Sequence, residues 1–246
     1  MTYSLVAFDP DTGECGVAVQ SHWFSVGGLV SWAEPGVGAV ATQATVEVAY
    51  GPRGLAAMRG GRSAPEALAG LIADDPQAGT RQVAMVDAHG GVAAHTGAAC
   101  MPFAGQVVGH HHSAQANLMR TDAVWGAMSE AYLGTSGRLA ERLLAALDAG
   151  EEAGGDVRGR QSAAIVVVPA AGEAWERVVE LRVEDHVDPL VELRRLVVLK
   201  EAYELASAGD ELTARGEHED AARRYVEAWE LAPDNAEASA SGRPWR

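Results

Sequence analysis

Lysine is almost missing from this sequence. Lys200 is the single one in 246 residues, so nearly every positive group is an arginine and lysine-based catalysis has one candidate. Positive charge as a whole is scarce, with 19 Lys and Arg against 34 Asp and Glu and a formal net charge of −15. Such a chain repels phosphates, which argues against nucleic acid or an anionic membrane as partner. Cysteine is short as well. Cys15 and Cys100 make neither a disulfide framework nor a metal quartet, and both sit in apolar strand-like segments as small hydrophobes. No apolar run approaches the ~20 residues of a membrane span. The start has no basic segment and reaches Asp9 within a few residues, so no secretory signal is read. A soluble, cytoplasmic protein is expected.

A hydrophobic fraction of 48% suits a folded globule, and the length suits one large domain with at most a small appendage. Residues 3–8 and 15–19 read as strands around the turn DPDTGE. Residues 27–32 and 38–43 read as two more. A helical stretch opens at GPRG, and SAPEALAGLIADDP follows with Ser63 as N-cap, Pro65 and Glu66 in the first turn and Pro76 after its end. Residues 83–86 and 92–95 form a hairpin around AHGG. Residues 113–135 read as a helix, with Val124, Met128 and Leu133 at helical spacing, and residues 137–155 as an amphipathic helix ended by Gly154-Gly155. The wholly apolar SAAIVVV (162–168) has the pattern of a central strand covered on both faces, and residues 175–185 add an alternating strand. Grouped strands and grouped helices predict two stacked sheets between helical layers. From about Pro189 onward only helix is left. Gly216, Ala221, Tyr225, Ala228 and Pro233 are spaced as in a tetratricopeptide repeat, and a single repeat needs a neighbouring surface to bury its face.

The segments MTYSLVAFDPDTGECGVAVQS, GVGAVATQATVEVAYGPRGL, RQVAMVDAHGGVAAHTGAAC, SAQANLM and GGDVRGRQSAAIVVV, in this order over about residues 2–200, resemble the DUF1028 family, which is grouped with the N-terminal nucleophile (Ntn) hydrolases. The resemblance implies an α+β fold, a four-layer αββα sandwich over residues 1–188. A helical, tetratricopeptide-like hairpin over 189–240 and a frayed tail over 241–246 follow it. It further implies an amidohydrolase acting on a small amide or related C–N bond, without a cofactor. Thr2, exposed by removal of Met1, would be the nucleophile and its own α-amine the base. The chain departs from the proteasome-like version, which supports its Thr with an Asp and a Lys. Gln20 stands near where that Asp would fall, and no lysine precedes Lys200. Penicillin-acylase-like members manage without the lysine. The opposing reading makes Thr2 a polar strand end in a non-catalytic binding or scaffold protein, whose helical tail makes a protein–protein contact.

Other polar positions carry paired readings. Ser113, Gln115 and Asn117 are placed at a helix start, where amides could hold a developing oxyanion, although capping alone would explain Ser113. In DVRGRQS, Asp156, Arg158, Gln161 and Ser162 precede the central strand. A guanidinium fork there suits a substrate carboxylate, or an Asp–Arg pair ties a loop to the sheet. Arg53 binds either a substrate or a helix carboxylate. Gln43 and Gln20 contribute only if their strands end at the cleft. His95 is either a site residue or a structural turn histidine. The His110–His112 run resembles a metal tract, but adjacent strand residues point to opposite faces and rarely share one ion, so no metal site is assigned. The extended apolar face of residues 190–199 and the lone repeat predict a homodimer or higher homo-oligomer.

Overall fold

The computed structural model describes residues 2–235 and divides into two compact units between Leu193 and Arg194. Residues 241–246, expected as a frayed tail, lie outside the described part. It is a mixed α/β structure with two antiparallel sheets and seven helices, closing on a C-terminal helical pair.

In the first unit, β1 (Thr2–Phe8) and β2 (Cys15–Ser21) form the hairpin expected around the turn DPDTGE. They occupy the middle of a six-stranded sheet in the order β10-β9-β2-β1-β8-β7. Its other members are β7 (Gly105–Gly109), β8 (His112–Asn117), β9 (Ser162–Val168) and β10 (Val179–Val183). The second sheet runs β3-β4-β5-β6, from Ser31–Glu34, Gly38–Ala44, Arg81–Asp87 and Val92–Thr96. One core lies between the sheets: Val17, Val19, Val166 and Val168 of the larger meet Ala39, Ala41, Ala84 and Val86 of the smaller. The opposite face of the small sheet, through Val40, Val83 and Met85, packs on α2 (Tyr50–Arg59) and α3 (Ala64–Asp74). Helices α4 (Val124–Gly134) and α5 (Leu139–Glu152) lie against the large sheet, where β-carbon positions on Gly16 and Gly150 would meet Leu143 and Met128 at 2.8 and 2.9 Å. The expected capping box of α3 is present, with the Ser63 N–H donating to Glu66 Oε2 at 2.8 Å. The apolar run of β9 is buried along its whole length.

Two expected elements are different. Residues 27–32 are not one strand: Gly27–Val30 forms the short helix α1, and only then does β3 begin. Val26 and Val30, four apart, both enter the inter-sheet core, so helical spacing prevails over alternation there. Residues 113–123 are not helical. The stretch HSAQAN is β8, paired with β1 from Ala7↔His112 to Thr2↔Asn117, and the helix starts only at Val124. Ser113 therefore caps nothing; its hydroxyl donates to the Val107 carbonyl at 3.0 Å. Leu133, expected on the apolar face of that helix, is exposed, and Tyr132 is buried in its place.

Most of α6 (Pro189–Ala214) belongs to the second unit. A turn at Gly216 leads to α7 (His218–Leu231), with Ala221 and Ala228 buried and the Tyr225 hydroxyl donating to Asp210 at 2.8 Å. No helix among the described residues is long and apolar enough to cross a membrane.

Candidate functional site

Side chains that alternate along a strand fall on opposite faces, so the β1 register decides which polar residues can meet Thr2. Thr2 pairs with Ser21 on one side and Asn117 on the other. All three face the second sheet, as do Ser4 and Gln115. Across the gap, Gln43 and Gln82 sit opposite each other in β4 and β5. The result is a fully buried polar network at one end of an otherwise apolar inter-sheet core. Gln43 Nε2 donates to the Thr2 carbonyl oxygen at 3.1 Å and to Gln82 Oε1 at 2.7 Å, while its Oε1 accepts from Ser4 Oγ at 2.7 Å. Gln82 Nε2 donates to Thr96 Oγ1 and to the Ala116 carbonyl, each at 2.9 Å. Asn117 Nδ2 donates to Gln82 Oε1 at 2.9 Å and to the Thr2 carbonyl at 3.4 Å, which commits both of its hydrogens. Buried amides cost little when satisfied and much when not, so this cluster fixes the Thr2 end of β1 in one geometry.

The Thr2 side chain is 4% exposed and donates from Oγ1 to Ser21 Oγ at 3.1 Å. It also forms part of the wall of a cavity of about 230 Å³. Gln43 and Arg158 supply its other polar wall, and Val26, Leu29 and Val30 from the α1 segment its apolar floor. Trp23 and Met101 line it while remaining about half exposed. Arg158 is the one ionisable side chain among the described lining residues. It is held by Asp156, whose buried carboxylate accepts from Arg158 Nη2 at 2.7 Å, Nε at 3.1 Å and the Arg158 N–H at 2.9 Å. The His22 N–H adds a fourth donor at 3.2 Å. The Asp–Arg pair thus ties the loop together, and Arg158 is also among the residues that line the cavity.

The backbone is bent where these strands end. Ala44, directly after Gln43, has φ 70°, and Leu118, directly after Asn117, has φ 55°. A non-glycine residue in this region costs on the order of 1–3 kcal/mol and persists where the surroundings impose it. Ala44 itself lines the cavity.

Several expected residues lie elsewhere. Gln20 is opposite Tyr3, not Thr2, so its side chain faces the helical side of the sheet. There its amide is fully buried, with no hydrogen-bond partner among the described residues. Arg53 pairs with Asp74 at 3.7 Å on the exposed α2–α3 surface and does not line the cavity. His95 is opposite Val83, on the helical side of the small sheet, and its Nε2 contacts the Ala78 carbonyl at 2.8 Å. Its neighbour Thr96 is the one that reaches the buried network. Gln161 donates to Asp185 at 3.0 Å beside His22 and His186, outside the Thr2 cavity. Ser162 accepts from the Val26 N–H at 3.1 Å and donates to the Trp23 carbonyl at 2.5 Å, so it anchors the loop that forms the cavity floor. Asn117 ends a strand, not starts a helix. The three histidines diverge: His111 contacts the Gly90 carbonyl at 3.0 Å and His112 Nε2 meets Ser129 Oγ at 2.8 Å. Among the described residues no group of three His, Cys, Asp or Glu side chains is placed to hold a metal ion.

Sequence reasoning passes over Gln82, Ser21 and Trp23. The signal for Gln82 lies in RQVAMVD, where it shares a face with Ala84 and Val86 and breaks the apolar pattern toward the core.

Comparison with known proteins shows one family and several similar solved structures. The model of a family of unknown function, DUF1028, matches residues 2–193. A crystal structure of a protein from Silicibacter pomeroyi placed in the same family is similar at 33% identity and a TM-score of 0.73, over 80% of this chain and 84% of that one. Anbu, an ancestral β-subunit from Yersinia bercovieri, aligns over 79% of this chain and 92% of its own at 10% identity and a TM-score of 0.38, too low to support an argument. No curated protein matches.

Proposed function

This chain belongs to the DUF1028 family, and we propose that it acts as an Ntn-type amidohydrolase on a small amide or related C–N bond. The observation that carries the proposal is the position of Thr2, which stands at the start of β1 and lines the 230 Å³ cavity. The αββα sandwich of Ntn hydrolases belongs to the same proposal. Helices on the outer face of each sheet and a core between the sheets support it.

After removal of Met1, the α-amine of Thr2, with an ordinary pKa near ~7.7–8, is neutral in a sizeable minority of molecules at physiological pH, and this form takes the hydroxyl proton. Oγ1 attacks the carbonyl carbon, the C–N bond breaks, and the proton passes to the leaving nitrogen. Water then adds to the Thr2 ester, releasing a carboxylic acid and restoring the hydroxyl. Asn117, with both hydrogens committed, acts as a positioning residue together with Gln43, both holding the Thr2 carbonyl. Arg158 is the polar contact for the substrate.

A second reading rests on the same cavity. Its described lining has no carboxylate, imidazole or lysine, so without the freed amine no side chain there serves as a base. In that case the protein binds a small molecule without turnover, and the helical tail supplies a protein–protein contact. We place the protein in the cytoplasm and infer a homodimer formed through α6 and α7.

Intact mass of the natively produced chain, followed by Thr2→Ala, tests the choice. A species lacking Met1, with turnover abolished in Thr2→Ala at an unchanged Tm, is expected. Retained Met1 in an active protein, or full activity in Thr2→Ala, rejects the nucleophile.

A further inference from the structure

The cavity at Thr2 is chemically divided. Val26, Leu29 and Val30 form an apolar floor, with Trp23 and Met101 beside it. Arg158, Thr2 and Gln43 supply the cavity's polar lining, and Arg158 is the single cation among them. The apolar part is open to solvent through Trp23, 56% exposed, and Met101, 46% exposed, and Phe24 next to Trp23 is 63% exposed. Exposed aromatic and aliphatic side chains clustered around a concave site mark it for an apolar ligand group. The volume, about 230 Å³, falls below the roughly 300–1,000 Å³ of sites for drug-sized molecules, so the ligand is small.

Arg158 is built into place. Asp156, 2% exposed, fixes the guanidinium through Nε and Nη2 and is itself held by two backbone N–H groups. A guanidinium fixed in orientation loses little conformational freedom when it meets a planar anion, and it carries five donors in all. The best complement is a carboxylate. A ligand with only apolar groups desolvates the part of the Arg158 side chain that is still exposed (26%) without return, and one with only polar groups leaves Val26, Leu29 and Val30 unused.

We propose that the Thr2 cavity binds a small N-acylated amino acid, with its carboxylate on Arg158, its amide carbonyl at Thr2 Oγ1 and its aliphatic acyl chain on Val26, Leu29 and Val30. This rests on the amidohydrolase reading for what happens to the amide, but not for binding. Hydrolysis in this orientation forms the ester between the acyl carbon and Thr2 Oγ1, breaks the C–N bond and releases the free amino acid. Water then releases the fatty acid.

The test is binding of N-hexanoylglycine to the Thr2→Ala protein, read by calorimetry and by Trp fluorescence, which separates recognition from chemistry. The expected result is saturable binding, weakened by about tenfold or more for the methyl ester, which lacks the anion, and by a similar factor for N-acetylglycine, which lacks the chain. Arg158→Lys is expected to weaken the acid and leave the ester unchanged. Because the ester and acetyl comparisons leave the protein unaltered, they decide the matter even if an Arg158 variant misfolds. Equal binding of acid and ester, equal binding of the two chain lengths, or no binding of N-hexanoylglycine overturns the proposal. Binding as described, with no hydrolysis by Met1-free wild-type protein, upholds it and rejects the amidohydrolase reading instead.

Discussion

At the scale of single residues, the burial of charge and amide groups sets the energetics of the site. Gln82 is fully buried, and replacing it by Leu leaves the Gln43 and Asn117 amides and the Ala116 carbonyl without their partner. Orphaning such groups costs about 1–3 kcal/mol each, so Gln82→Leu is expected to be strongly destabilising in chemical denaturation despite its gain in hydrophobicity. Asp156→Ala removes the buried partner of Arg158 and the acceptor of the His22 N–H, which destabilises the loop. A clear drop in Tm checks it. His112 is buried against Tyr132 and Ser129, with Arg142 over the Tyr132 ring and His110 and His111 adjacent. Burial foremost, with repulsion from Arg142, His110 and His111 behind it, lowers its pKa from 6.5, while the His110 carbonyl opposes the shift. Below 6.5 the unfolded chain takes up a proton that the folded one refuses. This contribution to stability is therefore full above that pH and is lost as the pH falls toward the lower folded value. The measurement is denaturation across pH 5–8 for wild type and His112→Gln, with the acid-side loss expected to shrink in the variant.

At the scale of elements, local signals were sufficient where an element's own sequence pays for it. The α3 start is one case: Ser63, Pro65 and Glu66 announce a capping box, and the box is there. Ser63→Ala is expected to lose about 1 kcal/mol, measurable as a small shift in the denaturation midpoint. Strand β8 is the opposite case. Small and polar residues in HSAQAN have weak preferences of their own. They become a strand because Ala114 and Ala116 fit under the helices, Gln115 and Asn117 find partners across the sheets, and Ser113 bonds to the neighbouring β7. Nothing within six residues states that those partners exist. Helix α1 was hidden for a related reason, since Gly27 is there to let the backbone approach Ala164, where a β-carbon would come within 2.5 Å.

At the scale of the whole molecule, the ten strands of the described residues and both sheet cores fall within the family's region, residues 2–193. A chain ending at Leu193 is expected to unfold cooperatively by calorimetry and, if α6 and α7 form the dimer contact, to sediment as a monomer. An unchanged dimer rejects that contact. The sequence by itself determined most strand and helix positions of the first unit and the family. These rest on periodicity, caps and turns, which are local properties of the chain. It also determined that Thr2, Asn117, Gln43, Asp156 and Arg158 are polar where packing does not require it. Only the tertiary structure decided which of them meet. A one-residue step along a strand reverses the face, so Gln20 is lost to the site while Thr2, its neighbour across one rung, is kept; Thr96 is gained for His95 in the same way. The cavity itself is made by loops 22–26, 44–46 and 101, brought to Thr2 by strands far apart in the chain, and no local pattern encodes that meeting.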